Sequence, residues 1–295
     1  MLLINDPCDA PAGPKVVAIG SFDGLHLGHQ HLLRTAQNEA KRRHTPLLVY
    51  TFDPPSKVFM RGEGFLTDLS EKIELLRELG VEMALIVPFN QAFAQRSKED
   101  FLQDLRTLEA QCLFVGQDFR FGRGRAGGLA DLQTVAPTHV LSLLELGGEP
   151  VKSSRIRELL RQGEVDQARL LLGRAYTARG IVQEGDKLGR RLGFPTANLE
   201  VAPHKILPLG VFVVRVQTPQ GRFGGMANIG YRPTLSGQAL RFEVHLFGFT
   251  GDLYGQELSV EFLSKLRSER KFESLEALRA QLAQDAEAAR RLLGI

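Results

Sequence analysis

Residues Gly20 to His29 read GSFDGLHLGH, and the apolar run VVAI (residues 16–19) stands directly before them. A buried strand over Val16–Gly20 therefore ends in a glycine-rich turn, and a helix begins at Gly28. Backbone N–H groups and the positive end of a helix dipole converge on an anion at such a point. Gly20, Gly24 and Gly28 allow phosphates to approach the backbone closely, and Phe22 lies within the same candidate phosphate turn. His26 and His29 are three apart across the first helical turn, so both rings can face one site. There they would donate hydrogen bonds to a triphosphate and stabilise charge developing on the α-phosphate and the leaving pyrophosphate. Two other readings of the same residues stay open. His26, His29 and His31 could form a metal site, although no clustered cysteine or carboxylate partner is evident, or they could be capping and surface histidines on a glycine turn.

The pattern around this turn sets the fold class. Strands are expected at Leu47–Thr51, Met83–Phe89 and Cys112–Gly116, separated by helices at Gly28–Arg43, Ser70–Leu79 (apolar at Ile73, Leu75, Leu76 and Leu79, closed by Gly80) and Lys98–Leu108. Such alternation predicts a Rossmann-like parallel sheet covered on both faces, with ligands at the carboxyl ends of the strands. Two short helices broken by Gly163 follow over Ser153–Leu172. After Gly173 the period changes to two, at Ala175–Val182, Gly210–Gln217, Arg222–Ile229, Ala239–Phe247 and Glu257–Leu263. This pattern predicts a small antiparallel barrel, closed by a helix from Leu275 to Leu293 with Ser274 as N-cap. The expected domains are residues 1–172 and 173–295.

Composition agrees with two soluble domains in 295 residues: 43% of the chain is apolar and 24% charged. A net charge of +3 gives no call for nucleic acid or an anionic membrane. Basic residues cluster instead at Arg120–Arg125 and Lys187–Arg191, which suits small anionic ligands. Cys8 and Cys112 cannot build a disulfide framework, no apolar run is long enough to span a bilayer, and the N-terminus lacks a signal-peptide pattern, so a cytoplasmic location is expected.

A second constellation, GDKLGRRLGFPTAN, runs from Gly185 to Asn198. Gly185, Gly189 and Gly193 with Lys187, Arg190 and Arg191 make a basic loop able to cradle phosphates. Pro195 fixes the backbone, and Thr196 and Asn198 then present two oxygen ligands on one face of an extended chain, fit for a hydrated Mg²⁺. An ordinary turn into a strand is the alternative. In RFEVHLF (residues 241–247) strict alternation puts Phe242, Val244 and Leu246 on the barrel side and Arg241, Glu243 and His245 on the other. A carboxylate on a rigid strand can accept the proton of an attacking hydroxyl, although a solvent-facing glutamate fits the pattern equally well.

The motif His26-Leu27-Gly28-His29 resembles the HxGH signature of the nucleotidyltransferase superfamily. Together with TFDPPSKVF (51–59), LTDLSEKIELLRELGVE (66–82), VGQDFRFGRGRAG (115–127) and VKSSRIRELL (151–160), it is similar to the adenylyltransferase half of bacterial bifunctional riboflavin kinase/FMN adenylyltransferases. Gly180–Leu199, GVFVVRV (210–216), ANIGYRPTL (227–235), FEVHLFGF (242–249), DLYGQEL (252–258) and LRSERKFESLEAL (266–278) resemble the family's kinase half. The resemblance implies that Ser153, Ser154 and Arg157 contact phosphate and that Asp118 lies near the substrates, with Arg120, Arg123 and Arg125 favoured as ligand contacts. It implies that Pro195, Thr196 and Asn198 carry Mg²⁺ and ATP, that Glu243 is the base, and that Arg267 lies near the flavin. Riboflavin, FMN and ATP are then the small-molecule partners, with neither nucleic acid nor membrane. The chain departs from the family's I-S-S-T-x-I-R at Lys152, which replaces the first serine, and Ser154 stands for the threonine. Leu132–Pro150 is shorter than usual, and Gly248 replaces a common aspartate.

Overall fold

A computed structural model describes residues 1–185, 188–234 and 237–295. The chain forms two compact units, Met1–Ser153 and Ser154–Ile295.

In the first unit, β1 (Leu2–Ile4) and β2 (Lys15–Ile19) precede α1 (Leu27–Arg43), β3 (Leu47–Asp53), α2 (Ser56–Arg61) and α3 (Leu69–Glu78). Then come β4 (Met83–Pro88), α4 (Gln91–Ala94), α5 (Lys98–Thr107), β5 (Ala110–Gly116), α6 (Leu129–Gln133) and β6 (Thr138–Leu141), with a small hairpin, β7 (Glu145–Leu146) and β8 (Glu149–Pro150). The main sheet is parallel throughout, in the order β1-β4-β3-β2-β5-β6. The central strands read as unbroken apolar runs because both faces are covered: Val17, Ile19, Leu48 and Tyr50 enter one core, Val16, Ala18, Leu47 and Val49 the other. Helix α1 packs on the second core through Leu32, Leu33, Ala36 and Ala40. From β2 the chain passes first to β3 on one side and later to β5 on the other, so the topological switch falls at the carboxyl end of β2. The histidine turn stands there.

The second unit begins with α7 (Ser153–Arg161) and α8 (Val165–Leu172), and continues with β9 (Tyr176–Gln183), α9 (Leu188–Arg191), β10 (Ala197–Val201), β11 (Gly210–Thr218), β12 (Gly221–Thr234), β13 (Gly237–Leu246), β14 (Glu257–Arg267) and α10 (Leu275–Leu293). The six strands close as an antiparallel barrel in the order β10-β13-β12-β11-β14-β9. Phe262 fills its centre, touching Tyr176, Phe212 and Phe242. Outside, α10 is capped by Ser274 and lays Ala286 and Ala289 on Val213 and Met226. Helix α8 buries Val165, Ala168, Leu171 and Leu172 and packs on β9 and β14, and Gly173 is its left-handed cap.

Both expected layers are present. The short strands β1, β6 and β10 were not expected, because three to five residues carry too little periodicity to stand out from a loop.

Candidate functional site

The histidine turn leaves β2 and is pinned by neighbouring segments. Asp23 Oδ1 accepts from the N–H groups of Leu66 (2.9 Å) and Thr67 (3.1 Å), and the Gly24 N–H donates to Thr67 Oγ1 at 3.1 Å. Ser153 Oγ donates to the Asp23 carbonyl at 3.0 Å, which brings one residue of the second phosphate motif to the turn. Gly24 has φ +80°, and a Cβ there would stand 2.6 Å from Leu66, so only glycine fits. Gly20 ends β2 with its N–H on the Tyr50 carbonyl, Phe22 is buried, and Gly28 lies in the first turn of α1.

His26 is the N-cap of α1. It is buried, and its Nδ1 accepts from the His29 N–H at 3.3 Å, so the capping role weighed from the sequence is real. The rings of His26 and His29 stack with centroids 3.6 Å apart, and Phe22 meets His29 edge-on at 5.4 Å. Burial, the adjacent His26 and the Lys72 ammonium push the His29 pKa well below its ordinary value. The Nδ1 of His29 is buried and has no hydrogen-bond partner among the described residues, an orphan polar atom at a turn built for an anion. His31 is exposed on α1.

Lys72 was not found from the sequence. It is fully buried on α3, donates to the Phe52 carbonyl at 2.7 Å, and is held down in pKa by burial against the opposing pull of Asp23 and Asp53. A lysine on the apolar stripe of an amphipathic helix, one turn before Leu76, was the available signal. Asp118, just after β5, is exposed and approaches Lys152 Nζ at 3.9 Å. Arg120, Arg123 and Arg125 are exposed on the same loop, with Arg120 and Arg125 donating to the carbonyls of Phe119 and Asp118. Ser154 is exposed and Arg157 buried on α7, in the second unit.

The barrel holds the other constellation. Asn198 of β10 pairs with Glu243 of β13, and Glu243 pairs on its other side with Asn228 of β12. Three polar side chains from adjacent strands thus stand in a row on one face, opposite the buried Phe242, Val244 and Leu246. They line a cavity of about 240 Å³ with Thr196, His245, Arg267 and Phe272. Glu243 is only 19% exposed and lies 3.9 Å from Arg241, so it is a cavity wall and not a solvated surface carboxylate. A Cβ on Gly185 would overlap the Asn198 amide, so Gly185 itself packs directly against that side chain. Gly189 lies in α9, while Lys187 falls outside the described residues. A second cavity of about 110 Å³ shares Thr196 and is lined by Arg190, Phe249 and Tyr254. Arg267 borders the larger cavity, but its guanidinium is committed: Nε and Nη2 donate to the buried Asp285 at 2.8–3.1 Å. Asp285 lies outside the quoted motifs and Asn228 inside ANIGYRPTL without an assigned role; their places became visible only through helix packing and strand register.

Residues 9–155 match the family described as FAD synthetase, and residues 172–293 the family described as riboflavin kinase. The bifunctional riboflavin kinase/FMN adenylyltransferase of Escherichia coli K12 is 38% identical over 307 positions, spanning 99% of this chain and 97% of its own. The chain belongs to the bifunctional riboflavin kinase/FMN adenylyltransferase family. The Bacillus subtilis member is 37% identical over 93% of this chain and 91% of its own. A solved structure described as a macrolide-efflux protein from Streptococcus pneumoniae superposes with a TM-score of 0.87 at 30% identity, covering 98% of each chain. In this family member no helix among the described residues is long and apolar enough to cross a membrane.

Proposed function

We propose that this chain makes both flavin coenzymes, phosphorylating riboflavin to FMN at the barrel and adenylylating FMN to FAD at the histidine turn. The observation that carries it is the row Asn198–Glu243–Asn228 walling a cavity in one unit, while the other carries a phosphate turn with an orphan imidazole nitrogen.

In the kinase step the riboflavin 5′-hydroxyl attacks the ATP γ-phosphorus, the bond to the β,γ-bridging oxygen breaks, and ADP leaves. Glu243 takes the hydroxyl proton. The cavity beside Glu243 receives the flavin, with Arg267 at its rim held by Asp285. Thr196 and Asn198 face the nucleotide, joined by Gly185, Lys187, Gly189 and Pro195. The oxygen donors Thr196 and Asn198, beside a carboxylate, suit Mg²⁺, a hard cation. When bound, Mg²⁺ spreads the negative charge of the phosphates.

In the second step an FMN phosphate oxygen attacks the α-phosphorus of another ATP, and the bond to the α,β-bridging oxygen breaks to release pyrophosphate. The N–H groups of the Gly20–Gly28 turn hold phosphate, with Phe22 as a wall. His26 and His29 donate to oxygens gaining charge. Ser153 joins the phosphate shell, with Asp118 near the substrates. The division of labour follows residues 1–172 and 173–295, and free thiols at Cys8 and Cys112 fit a cytoplasmic setting.

Incubation of the purified chain with riboflavin, ATP and Mg²⁺, followed by separation of the flavins, tests this. FMN should appear first and FAD after it. Absence of FMN, or FMN without FAD, would remove one half of the proposal.

A further inference from the structure

His245 forms a bond that the reaction scheme does not use. Its Nδ1 lies 2.7 Å from the carbonyl oxygen of Pro195. A carbonyl can only accept, so Nδ1 must carry the proton. Burial, assisted by the Arg290 charge on α10, lowers the His245 pKa against the raising effect of that bond, and the ring is neutral at physiological pH with Nε2 bare. The ring cannot turn freely, since Phe194 and Phe247 meet it edge-on, each at 5.5 Å.

The position of this bond matters. Main-chain pairing between β10 and β13 covers Asn198 with Glu243 and Ala197 with Val244 and reaches no further toward Pro195. Pro195 and Thr196 lie beyond the ladder; Thr196 lines both cavities and Pro195 the smaller one. The Pro195 carbonyl and the Thr196 N–H belong to one rigid peptide plane and point in opposite directions. Fixing the carbonyl therefore fixes the direction of the Thr196 N–H and the base of its side chain.

We propose that His245 is a positioning residue, whose Nδ1–H extends the β10–β13 pairing by one bond and thereby sets Thr196 for the nucleotide. This rests on the reading of Thr196 and Asn198 as nucleotide contacts. Glu243, on the same strand face, stays the proton acceptor, so losing the His245 bond weakens ATP binding more than turnover.

Three variants of the full chain and one spectrum of the unaltered protein test it. His245→Phe keeps the ring but removes the donor, and His245→Asn keeps a donor near the Nδ1 position. In the kinase reaction His245→Phe should raise KM for MgATP about tenfold with kcat within about threefold, the size of effect typical of a residue that orients a ligand group. His245→Asn should recover most of that loss, and FAD formation from supplied FMN should be unaffected in both. Nitrogen NMR of the unaltered protein should show the His245 ring neutral and protonated at Nδ1, a readout that needs no variant to fold. An Nε2-protonated ring, or Phe and Asn variants that behave alike, would overturn the proposal. Thr196→Val separates the two levels. If it leaves KM unchanged, the nucleotide reading fails and the inference falls with it. If it raises KM while His245→Phe does not, the inference alone falls.

Discussion

In the proposed scheme the two sites solve the same problem, holding a triphosphate beside a nucleophile, with opposite materials. At the histidine turn the positive character comes from backbone N–H groups, a helix N-terminus and a buried lysine, and burial holds the His29 pKa low. In the barrel the working groups are side chains on adjacent strands, Asn198, Glu243 and Asn228, held at ladder spacing. The contrast follows from the chemistry. An FMN phosphate is already an anion and needs no base, whereas the riboflavin hydroxyl must lose a proton during attack. A carboxylate base would have no proton to take at the first site and is required at the second.

The largest effect is expected at Glu243. Glu243→Gln should lower FMN formation by roughly 10²- to 10⁴-fold, because an amide cannot accept the proton. Stability should change little, since the side chain leaves no cavity in the barrel core. Thermal unfolding of the variant checks that clause.

His29→Ala should lower FAD formation by roughly 10²- to 10³-fold, comparable to losing one donor to a developing oxyanion. Initial rates from supplied FMN measure it, and an unchanged rate would make the orphan nitrogen irrelevant.

The boundary between the halves gives a third test. Helix α8 packs four buried apolar residues on β9 and β14, so a fragment starting at Ser154 should be more stable than one starting at Gly173. The difference should be about 4.5–9 kcal/mol, with about 1.5–3 kcal/mol for each of the large apolar side chains Val165, Leu171 and Leu172. Urea midpoints of the two fragments decide it, and equal midpoints would mean that α8 contributes no packing.

Acid should weaken the fold through the same burial that tunes the site. The His29 pKa is depressed in the folded chain, so below its ordinary value of 6.5 the unfolded chain binds a proton that the folded chain rejects, and stability falls as pH falls. Between about pH 7 and pH 5.5, wild type should therefore lose more stability than His29→Gln. Parallel curves would contradict the depressed pKa.

The smallest effect is expected at Lys152. It is 41% exposed and reaches Asp118 only at 3.9 Å, and such exposed pairs contribute about 0–1 kcal/mol. Lys152→Ser should leave FAD synthesis within a few-fold of wild type, since Ser153 already makes the contact to the turn. An abolished adenylyl step would reassign the phosphate contact to the lysine.

Much of this was legible in the sequence because the informative elements are periodic or rich in glycine. The strand-turn-helix around Gly20–His29, the alternation at Arg241–Phe247 and the cap at Ser274 each write their geometry into residue spacing. The remainder depends on what lies across a gap in sequence. Asn228 joins Glu243 only through barrel register, Asp285 reaches Arg267 only when α10 docks, and His245 meets Pro195 across 50 residues. Lys72 was hidden by its type, since a buried ammonium is read as surface charge until the strands beside it are placed.

The central claim is that one chain holds two separate reactions. The most direct test is the double comparison of Glu243→Gln and His29→Ala, each given riboflavin or FMN with ATP and Mg²⁺, with the flavins separated over time. Glu243→Gln should leave riboflavin unconverted yet turn supplied FMN into FAD at the wild-type rate, and His29→Ala should make FMN normally and accumulate it. If either substitution lowers both activities together, the reactions do not reside in separate sites and the account is wrong.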